Sequence, residues 1–290
     1  MKNVLITGSN GQLGNEIRVL SDRFRSFRFF FTDIEELDIC NLQAVRTFLS
    51  GNNIAYIVNC AAYTAVDKAE DDPELCYKVN RDAPGNLGEA AEEYGAKVIH
   101  VSTDYVFDGT NYKPYVETDP VCPVSVYGKS KLEGERALTT VCPESMVIRT
   151  AWLYSGFGNN FMKTMLRLGK ERDSLNVVFD QVGTPTYAAD LASCILQILD
   201  FSEKNTFKPG IYHYSNEGVC SWYDFTISIH KSAGITNCKV LPIEGTDYPA
   251  KAPRPHYSVL NKKKIKETFG ISIPHWEESL NTAIHGLPDR

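Results

Sequence analysis

The chain has 290 residues, long enough to bury one large core or two modest ones. Its 43% hydrophobic and 23% charged content is that of an ordinary globular protein. The net charge of -6 argues against a nucleic-acid binder, which carries a basic face. No apolar run approaches membrane-spanning length, so no membrane partner is expected. The eight cysteines are scattered with no C-x-x-C pair, which suggests neither a zinc site nor a disulfide framework, but reduced thiols in a cytoplasm.

Met1 to Gly8 turns glycine-rich after a single strand's worth of apolar residues and is read as a strand rather than a signal peptide. Val4-Leu-Ile-Thr7 predicts that short buried strand, followed by Gly8-Ser-Asn-Gly11-Gln-Leu-Gly14 and a helix through Leu20. Strand, glycine turn and helix in that order suit a dinucleotide phosphate site. The glycines permit a tight turn and close approach, and the helix N-terminus offers amide donors and a favourable dipole. The spacing is G-x-x-G-x-x-G rather than G-x-G-x-x-G, so its context carries the reading against an ordinary glycine-rich turn. Asp33 closes a second strand, Arg28–Thr32, nineteen residues past Gly14, where a carboxylate can hold the adenosine ribose. That charge would repel a 2′-phosphate and by itself favours NADH over NADPH. Asp38 and Ile39 follow, placed for the adenine edge or equally a solvated loop.

Ile54 to Ala62 is a near-continuous apolar run, as expected of a parallel strand covered on both faces. Its end, Ala61-Ala62-Tyr63-Thr64, falls at the sheet's carboxyl edge, where open α/β folds bind ligands. Asp72-Pro73 predicts a helix start, running to Tyr94 and stopping at Gly95. Lys97–Ser102 predicts the next strand, ending in Thr103-Asp104. Thr103 could hydrogen-bond a substrate carbonyl there, or merely cap a turn. Ser125-Val-Tyr-Gly-Lys-Ser-Lys131 then places Tyr127 and Lys131 four residues apart on one helical face. An ammonium beside a phenol favours the phenolate and brings it nearer to acid/base work at neutral pH.

Beyond Thr150 the regular alternation ends. A helix is predicted from Phe161 to about Lys170, a strand at Val177–Asp180 and a helix over Tyr187–Leu199 capped by Thr184-Pro-Thr186. Another strand follows at Gly210–Tyr214, and a helix capped by Ser221 through His230. The expected fold is α/β, a Rossmann-type doubly wound parallel sheet. Residues 1–150 form its dinucleotide-binding part. Residues 151–290 form mainly a smaller C-terminal substrate-binding domain, with segments returning to the sheet. Trp152 reads as a sugar-stacking or a core residue, and Arg254, between two prolines, as a diphosphate-binding cation or a surface ion pair. Lys262-Lys263-Lys264 reads as a solvated helix start, and the six histidines show no metal-ligand spacing.

Gly8-x-x-Gly11-x-x-Gly14, Thr103 and Tyr127-x-x-x-Lys131 together resemble the extended short-chain dehydrogenase/reductase family. Ala61 to Glu70, Ser102 to Gly109, Gly158 to Met165 and Arg254-Pro-His-Tyr-Ser258 look like its dTDP-4-dehydrorhamnose reductase branch. The resemblance implies NAD(P)H-dependent reduction of the 4-keto group of dTDP-4-dehydro-L-rhamnose. Thr103, Tyr127 and Lys131 would be catalytic. Gly11, Gln12, Leu13, Asp33, Asp38, Ile39, Ala62, Tyr63 and Thr64 would line the cofactor, while Thr103, Asp104 and Trp152 would meet the dTDP-sugar. Some members are magnesium-bridged dimers. Glu16 matches one acidic position, but Ala189-Asp190 lacks a second carboxylate, so no metal is assigned and monomer and homodimer both stay open. Tyr63 stands where some relatives carry histidine. A 4,6-dehydratase would need Thr-Asp-Glu where this chain has Thr103-Asp104-Tyr105. A 4-epimerase could use the same Tyr127 and Lys131. A non-catalytic regulatory subunit on this fold would not need the trio.

Overall fold

The computed structural model of the protein describes residues 1–287. Six parallel strands form the central sheet: β1 (Lys2–Thr7), β2 (Phe27–Thr32), β3 (Ile54–Asn59), β4 (Lys97–Thr103), β5 (Met146–Thr150) and β6 (Gly210–His213). Their order is β6-β5-β4-β3-β1-β2. The chain leaves β1 in one direction to form β2, then crosses back to place β3 on the other side of β1. That reversal opens a crevice at the carboxyl ends of β1 and β3, where doubly wound sheets bind ligands.

Both faces of the sheet are covered, which is why its strands read as apolar runs rather than alternating ones. Val4 and Ile6 pack with Ile17, Leu191 and Ile195, from helices α1 (Gln12–Ser21) and α6 (Ala188–Lys204). Leu5, pointing the other way, packs with Val45, Leu49 and Leu87 from α2 (Leu42–Asn52) and α3 (Ala83–Tyr94). Helix α4 (Val126–Val141) adds Leu138 to the same side. A separate apolar cluster joins α5 (Phe161–Glu171), α7 (Trp222–Ala233) and α9 (Trp276–His285) through Met162, Phe225, Ile229 and Leu280. From the second half, α6, β6 and the short α8 (Lys263–Phe269) return to the sheet.

Three local expectations change. The helix from Pro73 to Tyr94 is interrupted by a π turn over Lys78–Asp82. Pro84 has no N–H to give to the carbonyl of Asn80, four residues earlier. The freed carbonyl lies against Gly134 of α4, where a Cβ would come within 1.9 Å of it. Thr186–Tyr187 is a short strand beside Leu153–Tyr154, and the helix after it starts at Ala188 with Tyr187 as its N-cap and no side-chain cap, while the Thr184 hydroxyl donates to the Gly218 carbonyl. Lys262 is not solvated: it is 7% exposed, and its Nζ lies 3.5 Å from Glu217. Among the described residues no helix is long and apolar enough to cross a membrane.

Candidate active site

The phosphate loop is built by its glycines. Gly8 has φ +63, and a Cβ there would stand 2.6 Å from the backbone of Ala61 at the end of β3. A Cβ on Gly14 would lie 2.5 Å from Ser9 Cα, so glycine is what lets α1 start this close to the loop. Gly11 is the N-cap, offers no side-chain cap, and the first turn holds no acidic residue. The first amide N–H groups of α1 are therefore left for an anion.

Two cavities open from this loop. One, of about 330 Å³, is lined by Gly8, Gly11, Asp33, Asp38, Ile39 and Ala62, six of the residues expected at a cofactor. Asp33 Oδ2 accepts the amide N–H of Asn10 at 3.1 Å, tying the end of β2 to the loop. The other, of about 550 Å³, gathers Gln12, Leu13, Thr64, Thr103, Asp104, Tyr127, Lys131 and Trp152. Four expected residues line neither cavity: Gly14, Tyr63, Glu16 and Arg254. Gly14 packs the helix, and Tyr63 is held through its backbone, its N–H going to Asn80 Oδ1 and its carbonyl taking Asn80 Nδ2–H. Arg254 makes a two-pronged ion pair with Asp67, at 2.7 and 3.2 Å, which holds the Asp67 carboxyl below its usual range. Glu16 is enclosed, and its carboxylate takes the Ser155 hydroxyl at 2.6 Å. Nearby Asp190 is already occupied by Asn216 and Ser279. A hard cation needs several free oxygens, so these residues do not fit one. Among the described residues no three His, Cys, Asp or Glu side chains gather for a metal.

Thr103 both caps and faces the cavity. It accepts the Tyr105 amide N–H at 3.2 Å and donates its hydroxyl to Asp104 Oδ1 at 2.9 Å. Burial pushes Asp104 up to about 6, against the hydrogen bond from Thr103, and its Oδ2 has no partner. Tyr127 and Lys131 share the buried face of α4, as their spacing implies. The ammonium effect on the phenol is not what the geometry gives. Lys131 Nζ turns back to the Val101 carbonyl, 2.7 Å away, because a buried lysine needs an acceptor and β4 supplies one. Burial instead raises Tyr127 well above 10, with the Thr103 hydroxyl opposing, and lowers Lys131 to about 8.

Residues without a sequence-level role also line the larger cavity. Trp222 stacks on Trp152 with ring centroids 3.5 Å apart and planes at 10°. Trp152 itself has φ +49, a left-handed conformation unusual for a bulky residue. Asn160 Nδ2 donates to Gln12 Oε1 at 2.9 Å, joining the phosphate loop to the start of α5. The visible hints are the Gly156–Asn160 run and the cap at Ser221, just before Trp222.

Residues 1–288 match the family model described as RmlD substrate binding domain. A dTDP-4-dehydrorhamnose reductase of Aggregatibacter actinomycetemcomitans is 45% identical over 97% of each chain. The structure of a dTDP-4-dehydrorhamnose reductase ortholog from Clostridium acetobutylicum superposes with a TM-score of 0.92 at 44% identity, covering 98% of both chains. One from Bacillus anthracis, in complex with NADP, gives 0.93 at 38%, covering 98% of this chain and 99% of that one. With that likeness over its whole length, the chain belongs to the dTDP-4-dehydrorhamnose reductase family.

Proposed function

We propose that the protein reduces the 4-keto group of dTDP-4-dehydro-L-rhamnose to give dTDP-L-rhamnose, with NADPH or NADH as reductant. The observation that carries this reading is the meeting of Thr103, Tyr127 and Lys131 in one cavity with Gly11, Gln12 and Leu13. The uncapped first turn of α1 fits the pyrophosphate of a dinucleotide, with Gly8 and Gly14 letting the loop pack closely on Ala61 and Ser9 and with Asp33, Asp38, Ile39 and Ala62 around the adenosine. The nicotinamide supplies the hydride when bound.

The chain's own residues handle the proton. Burial keeps Tyr127 protonated at neutral pH, the form that can give a proton to the sugar oxygen. Thr103 exchanges its bond to Asp104 for one to that oxygen and polarises it. Lys131, on the same buried face of α4, would hold the nicotinamide ribose, and in its ammonium form it balances the phenolate that Tyr127 becomes on giving up its proton. Asp104, with its unpartnered Oδ2, takes a sugar hydroxyl. Trp152 forms an apolar wall for the ring. The second half of the chain is the substrate-binding part in this reading, and Arg254 orders the Asp67 turn rather than meeting a diphosphate directly.

The test is to mix protein with the 4-keto sugar nucleotide, add NADPH or NADH separately, and follow reduced-nicotinamide absorbance. Consumption by wild type and not by Tyr127→Phe supports the reading. No consumption with either cofactor, in protein that binds both, overturns it.

A further inference from the structure

His100 lies on β4 beneath Lys131 and is completely buried. Its protonation follows from its neighbours one bond at a time. The Thr7 hydroxyl and the Ala61 amide N–H both point at Asn59 Oδ1, at 2.7 and 3.1 Å. That fixes the Asn59 amide, because the flipped orientation would set Nδ2 against the Ala61 N–H. Asn59 Nδ2 therefore donates to His100 Nδ1 across 2.9 Å. A ring nitrogen that accepts carries no proton, so the proton of the neutral ring sits on Nε2. Nε2 lies 3.4 Å from Lys131 Nζ. Burial and the neighbouring lysine hold the ring neutral, well below 6.5.

An ammonium has three donors and no acceptor, whereas a neutral amine has a lone pair to offer an N–H. We propose that His100 is a positioning residue for Lys131: its Nε2–H, locked by Asn59 and Ala61, donates to Lys131 Nζ and favours the neutral amine. The other titratable groups facing Lys131 act differently. Glu135, one turn further along α4, and the thiols Cys76 and Cys60 favour the ammonium, while burial disfavours it more strongly. Tyr127, one turn earlier, is neutral. Among these neighbours His100 supplies the directional contact that an ammonium cannot satisfy. Its effect on turnover rests on the reductase reading given above, but the tautomer does not.

The direct measurement is ring ¹⁵N correlation spectroscopy on the full-length, ¹⁵N-histidine-labelled protein from about pH 6 to 9, assigned through ring-to-backbone connectivities. His100 is expected to be protonated on Nε2, bare on Nδ1, and constant across that range. A proton on Nδ1, or a ring that titrates there, overturns the proposal. Asn59→Asp presents only acceptors, so it is expected to move the proton to Nδ1; a ring that keeps Nε2–H would overturn the lock. In kinetics, His100→Phe is expected to move the basic limb of kcat/KM upward by about half a pH unit or more. An unmoved limb overturns the effect on the lysine, and Asn59→Asp gives the same reading if His100→Phe does not fold. Protein that shows the expected tautomer but does not reduce the sugar nucleotide would sink the reductase reading and leave the lock standing.

Discussion

Arg149 on β5 and Glu135 on α4 form a buried ion pair, Nη2 to Oε2 at 2.7 Å, with both side chains only 3% exposed. Glu135 also takes the hydroxyl of Ser102, the residue before Thr103, and stands one helical turn past Lys131. The pair thus anchors the strand and the helix that carry the proposed catalytic groups. Glu135→Ala strands a buried guanidinium and is expected to cost about 3–5 kcal/mol in chemical denaturation. Replacing both partners with apolar residues of similar volume should cost clearly less. Equal losses in the single and double variants would refute a penalty from uncompensated charge.

The stacked indoles should behave as one wall. Trp222→Ala removes the support of Trp152, with loss of about 0.5–1.5 kcal/mol beyond buried area. A severalfold rise in KM for the sugar nucleotide is expected, with the KM for the cofactor nearly unchanged. Near-ultraviolet circular dichroism should lose the coupled indole signal. Unaltered KM values would mean that the pair only fills space.

At the phosphate loop, Gly14→Ala sets a methyl group 2.5 Å from Ser9 Cα, a backbone contact that cannot give way cheaply. Cofactor affinity, measured by fluorescence titration, is expected to fall by an order of magnitude or more, about 1.4 kcal/mol or greater. Wild-type affinity would show that α1 can shift without disturbing the anion site.

Asp33 is the residue whose charge should discriminate between cofactors. Asp33→Asn keeps an acceptor for the Asn10 N–H and removes the negative charge near the ribose. The ratio of kcat/KM for NADPH over NADH is expected to rise about tenfold, roughly 1.4 kcal/mol. A ratio that stays put would assign the preference to other residues.

Asp104 gives a pH dependence with a definite sign. Its folded value, about 6, lies above the ordinary 3.8, so the folded protein holds the proton more tightly than the unfolded chain. Stability therefore falls as pH rises through that window, and the loss is complete above about pH 6. Asp104→Asn should stabilise the protein by up to about 3 kcal/mol at neutral pH and not at about pH 3, while lowering activity. Thermal melts at the two pH values decide it, and equal effects at both would refute the assignment.

What the sequence made legible is what local rules control. The strand, glycine loop and helix at Val4–Leu20, the strand-end Asp33 and the shared face of Tyr127 and Lys131 depend on neighbours within a few residues. The structure brings them to one crevice. Trp222 and Asn160 reach the cavity from segments far along the chain, so no spacing announces them. Lys262 read as solvated because its partner, Glu217, is remote in sequence. The π turn was encoded locally by Pro84, but its use depends on Gly134 across a helix interface. The spacing of Tyr127 and Lys131 says nothing of the burial that raises the phenol or of the Val101 carbonyl that takes the lysine Nζ, both set by tertiary packing.

The strand β6 has a consequence for biosynthesis. Gly210–His213 hydrogen-bonds along β5, whose other edge is taken by β4. During translation, β5 emerges long before its outer partner has been made, leaving an unpaired, apolar strand edge on the nascent chain. The nucleotide-binding sheet can thus be finished only after most of the protein has left the ribosome, and a chain stopped short of β6 would expose the kind of surface that chaperones hold.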